Sequence, residues 1–490
     1  PLHNRRLRNT AGFERDGSMT LGYRSHNFHT ELKLSDAYSK SGFFANAHGL
    51  EVRLSDIDYD RSRRDIDLPC QSVNHLRVMS HTVYEQGSLA LEADLAYQNN
   101  HRKELSEPVS HGYMPVPPGS LEREFKKDTY TANLIARLSL GSRHTLTAGF
   151  NSEYQHNRRS GWGFIMPDFE TASFGTYAFD RFTVRKDLIL NAGVRYDHVR
   201  TSIHSYKDWF KTPVSATDSV FKERSEDLRR SFNSLTWSAG VNYSVGQWIL
   251  KANVGKSFRV PIPKELGTDG VNYHIFRYEK GNPGLNPEES YQLDAGIHWG
   301  NDRVTVQFDP YLNYFPNYIY MNPTPDYYEG LQWYYYTQSR VIRCGFELQA
   351  DWKILPSLDA ELEGEYLYAE QLSGEKKGYT LPFSTPWSAD ATLKYGFCRK
   401  KAGNEGFVAI NLHVTGRQNR IVPPEKPTSG YYTINLNAGK DFAFGDKNLR
   451  LTLNAENLLN RKYYDHTSFY RLIDVPEPGR NVALMATFEF

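Results

Sequence analysis

The feature that most constrains this chain is a hydrophobic period of two that recurs over most of its length. Leu449 to Glu456 reads LRLTLNAE, with Leu449, Leu451, Leu453 and Ala455 on one face and Arg450, Thr452, Asn454 and Glu456 on the other. Successive side chains of a β-strand point to opposite faces, so the stretch is a strand with one apolar and one polar side. The pattern returns in NVALMATFEF from Asn481, YTINLNAG from Tyr432, VAINLHVT from Val408 and LILNAGVRYD from Leu188. Each is about long enough to cross a hydrocarbon layer as a tilted strand.

A soluble sandwich or propeller also alternates, and connection length separates the two readings. Short turns fall near Ser142, Lys186, Gly246 and Asn301, whereas Thr201 to Asn233 and Phe258 to Glu288 are long. Short turns on one rim and long loops on the other are the pattern of an outer-membrane barrel. Closure also removes strand edges that lipid does not tolerate. The expectation is an all-β fold, a large antiparallel transmembrane β-barrel of about 20 to 22 strands forming one domain over residues 1–490. Its apolar faces meet lipid. Arg450, Asn454, Glu456, Asn481 and Glu489 line the lumen, which in a barrel this wide is normally plugged or water-filled.

Composition narrows function by exclusion. No run of 18 apolar residues is present, so no helical membrane span is expected. With 58 basic and 57 acidic residues, net charge gives no reason to expect nucleic acid as a partner. Cys70, Cys344 and Cys398 have neither a CxxC spacing nor the number for a disulfide framework. No GxSxG, HExxH or phosphate-cradling glycine loop occurs, and the chain is not expected to be an enzyme.

Three stretches resemble a known family. NAENLLNRKYYDH (Asn454 to His466) followed by PEPGRNVALMATFEF (Pro476 to Phe490) is similar to the C-terminal signature of TonB-dependent outer-membrane receptors. GKSFRVPIPKEL and GNPGLNPEESYQLDAG resemble that family's loop between an F-R-A-P-like and an N-P-D-L-like turn, and LILNAGVRYD its common strand pattern. The resemblance is to a siderophore or haem receptor of Bacteroidetes type. It implies a bacterial outer-membrane transporter that imports an iron-containing ligand, ferric siderophore or haem, into the periplasm. The ligand would be cargo, with no cofactor permanently bound. The family's N-terminal plug and TonB-contacting segment have no counterpart in these residues. Partners implied are the TonB complex, outer-membrane lipid and a surface lipoprotein. Alternatives are zinc or another cargo in the same family, or a scaffold barrel that does not transport.

In haem receptors of the family the loop between the two turns holds a histidine that ligates iron. Here Phe258-Arg259-Val260-Pro261 and Asn282-Pro283-Gly284-Leu285 bracket His274, with Val260 and Gly284 departing from the pattern. Imidazole ligates iron, copper or zinc, and phenolate serves ferric iron in some haem sites. By that resemblance His274 is a metal ligand, Tyr273 a second ligand, and Arg277 and Arg259 partners for ligand carboxylates. The alternative is a loop histidine bonded to its neighbours. A second candidate surface is aromatic: Trp333, Tyr334, Tyr335 and Tyr336 in one run, with Trp162 on another long loop. Flat rings with interleaved arginine bind planar ligands by stacking and cation-π contact. The same residues also make the girdles of any such barrel. Asp56, Asp58 and Asp60 in the segment Ser55 to Asp67 begin a calcium-loop spacing, but Arg61 and Asp67 stand where glycine and a bidentate glutamate are needed. His26 and His29, read as lying on an outer turn, would with His274 suit zinc.

Overall fold

The computed structural model describes residues 8–44, 64–397, 405–445 and 447–489. Most of the segment from Ser55 to Asp67 and all of Cys398 therefore lie outside the described residues. The chain forms a 21-stranded sheet plus a two-stranded hairpin. The wall is an antiparallel meander in which each long strand pairs with the next, from Gly12–Arg24 on Phe28–Gly42 to Lys447–Glu456 on Asn481–Glu489. Among the described residues no helix is long and apolar enough to cross a membrane.

Two interruptions of the meander matter for function. The hairpin Tyr206–Pro213 with Ser219–Ser225 stands apart, so Leu188–Ile203 pairs directly with Leu228–Val245. The ribbon of Asp269–Asn272 and Arg277–Lys280 lies between Trp248–Arg259 and Glu288–Gly300, which pair with each other. The two segments read as long loops are therefore partly strand: the wall runs on to Ile203 and resumes at Leu228. The first and last strands are exposed along their whole length, and among the described residues they do not pair with each other.

Register settles which face is which. Leu453 lies opposite Ala438 and Leu484, and Leu451 opposite Ala486, a continuous apolar surface. Leu484 is 72% exposed and Leu235 57%, as expected of side chains that meet lipid rather than a core. Glu456 lies opposite Asn481, Asn448 opposite Glu489 and Arg450 opposite Asp441, to which it is ion-paired at 2.6 Å. These form the polar row that continues through Asn411 and Asn435 and through Thr305 and Asp351 to the far side of the wall.

The rims differ as the connection lengths required. Tight turns carry glycine in the left-handed region at Gly87, Gly141, Gly246 and Gly445, with φ between 57° and 69°. One expectation is overturned here. Phe28 pairs with Tyr84, so the turn holding His26 shares its rim with the Gly87 turn. His26 and His29 thus lie at the short-turn rim, at the opposite end of the wall from the loops that contain His274. The strands Val304–Tyr328 and Leu331–Leu355 are 25 residues each, far more than a membrane crossing needs, and project beyond the wall into the loop layer.

Candidate functional site

The segment after Arg259 looks structureless in sequence because its residues serve each other rather than a lipid face. Pro263 opens a short helix, Pro263–Gly267, and Glu265 folds back to accept from the Ile262 amide at 2.9 Å. Arg259 donates to Glu265 at 2.9 and 3.0 Å and lies 3.2 Å from Glu288, tying that helix to the next wall strand. Arg277–Lys280 then runs parallel beside Gln332 to Tyr335. At the centre, the fully buried Glu279 meets Lys264 at 2.5 Å, Arg277 at 2.9 Å and Asn272 at 3.1 Å. Burial pushes this carboxyl up, but Lys264 and Arg277 more than offset it and hold it below the usual glutamate range. The Tyr278 hydroxyl donates to Asp269 at 2.6 Å and accepts from Arg224 at 2.9 Å, and Arg224 is ion-paired to Asp208 at 2.8 Å. Leu266 and Leu285 pack with Phe169, Ile203 and Ile319 beneath.

The predicted ligand residues divide among different surroundings. His274 sits on the turn Tyr273–Ile275 with its ring 4.5 Å from that of Phe43 and Nε2 3.8 Å from Glu104. Glu104, Glu122 and His274 bring donor atoms within 4.8 Å of one another. Arg123 is already between the carboxylates, 2.6 Å from Glu104 and 2.8 Å from Glu122, and Arg102 also pairs with Glu104. Two cations thus balance the two carboxylates that would accompany His274 in a metal site. Tyr273 lies against His111 at 5.2 Å, and burial pushes its phenol far above the ordinary range, away from phenolate. Arg259 is committed to Glu265 and Glu288.

The aromatic run is likewise split. Trp333 stacks on Tyr278 at 5.0 Å and 17°. Tyr336 packs on the cluster around Leu266, and Tyr335 lies opposite Asn322. Tyr334 meets the guanidinium of Arg277 at 5.2 Å. Trp162 is buried and donates through Nε1 to the Gly119 carbonyl at 3.0 Å. Of the predicted aromatics only Tyr334 lines the cavity of the loop layer.

That cavity, of about 750 Å³, lies among Tyr327, Tyr334, Lys426, Tyr431, Arg461 and Tyr463 and their neighbours. Its size is within the range of small-molecule sites. Tyr431 and Tyr463 stack at 4.2 Å and 27°, and Arg461 lies 4.4 Å over Tyr432. Under it Arg471 and Glu425 form a buried ion pair at 3.2 Å, and Glu425 also accepts from the Phe383 amide at 3.0 Å. His466 accepts or donates at Thr428 across 3.0 Å, and burial together with nearby Arg471 lowers it to about 4, so it is neutral. Sequence reasoning missed this wall. Arg461, Tyr463 and Tyr464 were visible in RKYYDH but served only as part of a family signature. The arrangement offers flat rings and cations to a planar, anionic ligand.

A family model described as TonB dependent receptor-like, beta-barrel, matches residues 3–458. Similar solved structures include the copper transporter OprC, at 14% identity and a TM-score of 0.74 over 96% of this chain and 71% of that one. The FrpB iron transporter from Neisseria meningitidis (F3-3 variant) is similar at 14% identity and 0.68, covering 98% and 72%. The ferric-catecholate import receptor Fiu from K12 E. coli is similar at 13% identity and 0.68, covering 99% and 75%. At such identities these likenesses speak for the fold.

Proposed function

Because the chain belongs to the TonB-dependent receptor-like β-barrel family, we propose that it captures a ferric siderophore outside the bacterial outer membrane and passes it to the periplasm. Energy would come from TonB through the plug and TonB-contacting segment typical of such receptors. One observation carries the choice of cargo: the cavity in the loop layer is walled by tyrosines interleaved with Arg461, Lys462 and Lys426. A ferric tris-catecholate is an anion with aromatic faces, and stacking and cation-π contact suit both properties. Haem needs an axial ligand, and His274 is committed to Phe43 and the ion-paired Glu104 rather than to that cavity. Copper and iron transporters among the similar structures keep metal cargo in the same class.

The test is a titration of the detergent-purified protein with a ferric tris-catecholate and, separately, with haemin, read by quenching of tyrosine and tryptophan fluorescence. Saturable quenching by the catecholate is expected, weakened at least about tenfold in an Arg461→Ala, Lys462→Ala double variant. Absence of saturable catecholate binding, or binding undiminished in the double variant, would reject the reading. Haemin binding that is lost in His274→Ala would replace it with haem uptake.

A further inference from the structure

The second histidine–carboxylate cluster lies far from the loop layer and takes no part in that reading. His81, Glu92 and Asp94 bring one donor atom each to within 4.8 Å of one another. Register explains why. Glu31, His81 and Asp94 stand side by side on three neighbouring strands, and Glu92 is in the next row on the same face, opposite Val83. That face carries Asn133 opposite Asp94 and is the polar, lumen-facing side of the wall. The cluster lies toward the rim of short turns, a few residues from Gly87.

We infer that His81, Glu92 and Asp94, supported by Glu31 and His29, form a binding site for a divalent first-row transition metal on the lumen wall. His81 Nδ1 is 2.7 Å from Asp94 Oδ1, and His29 Nε2 is 3.0 Å from Glu31, with the two imidazoles 6.4 Å apart and perpendicular. Metal–ligand bonds of about 2.0–2.2 Å place tetrahedral donors about 3.4 Å apart, inside the 4.8 Å within which these donor atoms already lie, so small side-chain rotations suffice. One imidazole with two carboxylates leaves a fourth position open for water, His29 or Glu31. Nitrogen among the donors selects zinc, cobalt, nickel or copper(II) over calcium and magnesium, and the lack of sulfur disfavours copper(I).

Charge separates this cluster from the one at His274. There, Arg102 and Arg123 balance Glu104 and Glu122. Here three carboxylates, Glu31, Glu92 and Asp94, face two cations, Lys33 at 2.8 Å from Glu31 and Arg137 at 2.7 Å from Glu92. The cluster keeps a negative excess when its histidines are neutral, and Asp94 has no basic partner other than His81 among the contacts described. A bare His–Asp pair is not enough, since His298 and Asp309 also meet at 2.7 Å, with no third metal-ligating group in reach among the described residues.

That contrast supplies the control. The folded full-length protein in detergent, stripped of metal, would be titrated with cobalt(II) and followed by its visible d–d absorption, with bound zinc counted by equilibrium dialysis. Heat-modifiable mobility on gels confirms that each variant is folded. One equivalent of either metal is expected, with an intense band of low-coordinate cobalt. In His81→Ala and Asp94→Asn the affinity should fall at least about tenfold, while His298→Ala should bind as the parent does. Should His81→Ala fail to fold, Asp94→Asn decides alone. No stoichiometric binding by the parent protein, or binding unchanged in the folded variants, would overturn the assignment. Because the probe is a bare metal ion, this outcome is independent of whether a ferric catecholate binds in the loops.

Discussion

Glu279 is the residue on which the folded loop after Arg259 turns, and replacing it with glutamine should loosen that loop without touching the wall. The carboxylate is fully buried and shared by Lys264, Arg277 and Asn272. Removing one member of a buried ion-paired set leaves the others uncompensated, at a cost of about 3–5 kcal/mol. A carboxamide still accepts one hydrogen bond, so the lower end applies, about 3 kcal/mol, or roughly a hundredfold more frequent local opening. Hydrogen exchange of the amides in residues 268–281 measures this directly. The pH dependence gives an independent check. The native carboxyl sits below its ordinary value of 4.5, so the unfolded loop binds the proton more readily than the native one. The stabilisation is therefore complete above about pH 4.5 and is lost as pH falls toward the native pKa. Relative to intrinsic rates, parent protection should be flat at neutral pH and decline in acid, whereas Glu279→Gln should lack that acid step. Equal protection of these amides in parent and variant at pH 7 would refute the role given to the network.

Other perturbations test other layers. Leu451→Arg places a charge on the lipid-facing row and should cost about 2–4 kcal/mol near the midplane in reversible folding into lipid vesicles, whereas Thr452→Arg, on the lumen face, should cost clearly less; equal costs would mean the faces are inverted. Gly270→Ala would put a Cβ 2.0 Å from the Phe164 carbonyl, so the ribbon Asp269–Asn272 must leave the neighbouring loop. Faster tryptic cleavage after Arg277 or Lys280, with unchanged heat-modifiable mobility, is the expected readout. His466, held at about 4 against an ordinary 6.5, binds its proton more weakly in the native loop than in the unfolded one. Its contribution should be full above pH 6.5 and fall by about 3 kcal/mol toward pH 4, seen as acid-induced exchange in residues 457–480 that His466→Asn suppresses.

The wall was legible because its rule is local. A strand crossing lipid must alternate, and the alternation at Leu449 to Glu456 named both faces before any pairing was known. The turns were equally local, since a connection of two or three residues needs a residue that tolerates positive φ, and Gly87, Gly141 and Gly246 supply it. The loop layer obeys no such period. Alternation divides Trp333 to Tyr336 between two faces, Tyr334 with Tyr336 and Trp333 with Tyr335, but which set turns inward depends on register, and a second strand, Arg277–Lys280, docked alongside them. Tyr278 then claimed Trp333, and Arg277 claimed Tyr334. The partners of His274 lie about 150 to 170 positions away at Glu104 and Glu122, a separation that one sequence does not encode by spacing. His29 was placed on the wrong rim for the same reason, because only the pairing of Phe28 with Tyr84 shows which way its turn faces.

The long loops also hold one another, which bears on how a ligand would be retained. Arg277 lies 5.1 Å over Phe469, Phe469 meets Phe383 at 4.9 Å, and Phe383 lies 5.1 Å beneath Arg471, which is ion-paired to Glu425. Those residues come from four separate connections between wall strands. Each contact alone is worth on the order of 1 kcal/mol, less than the cost of ordering a free loop. In series they make displacement of one loop a loss for its neighbours. A ligand seated in the cavity touches three of the four directly, at Phe276, Glu425 and Arg471, and its binding energy is shared with the ribbon that carries Glu279 through Arg277. The folded loop after Arg259 and the wall of the cavity are for that reason one mechanical unit, and weakening Glu279 should loosen the ligand site as well as the loop that contains it.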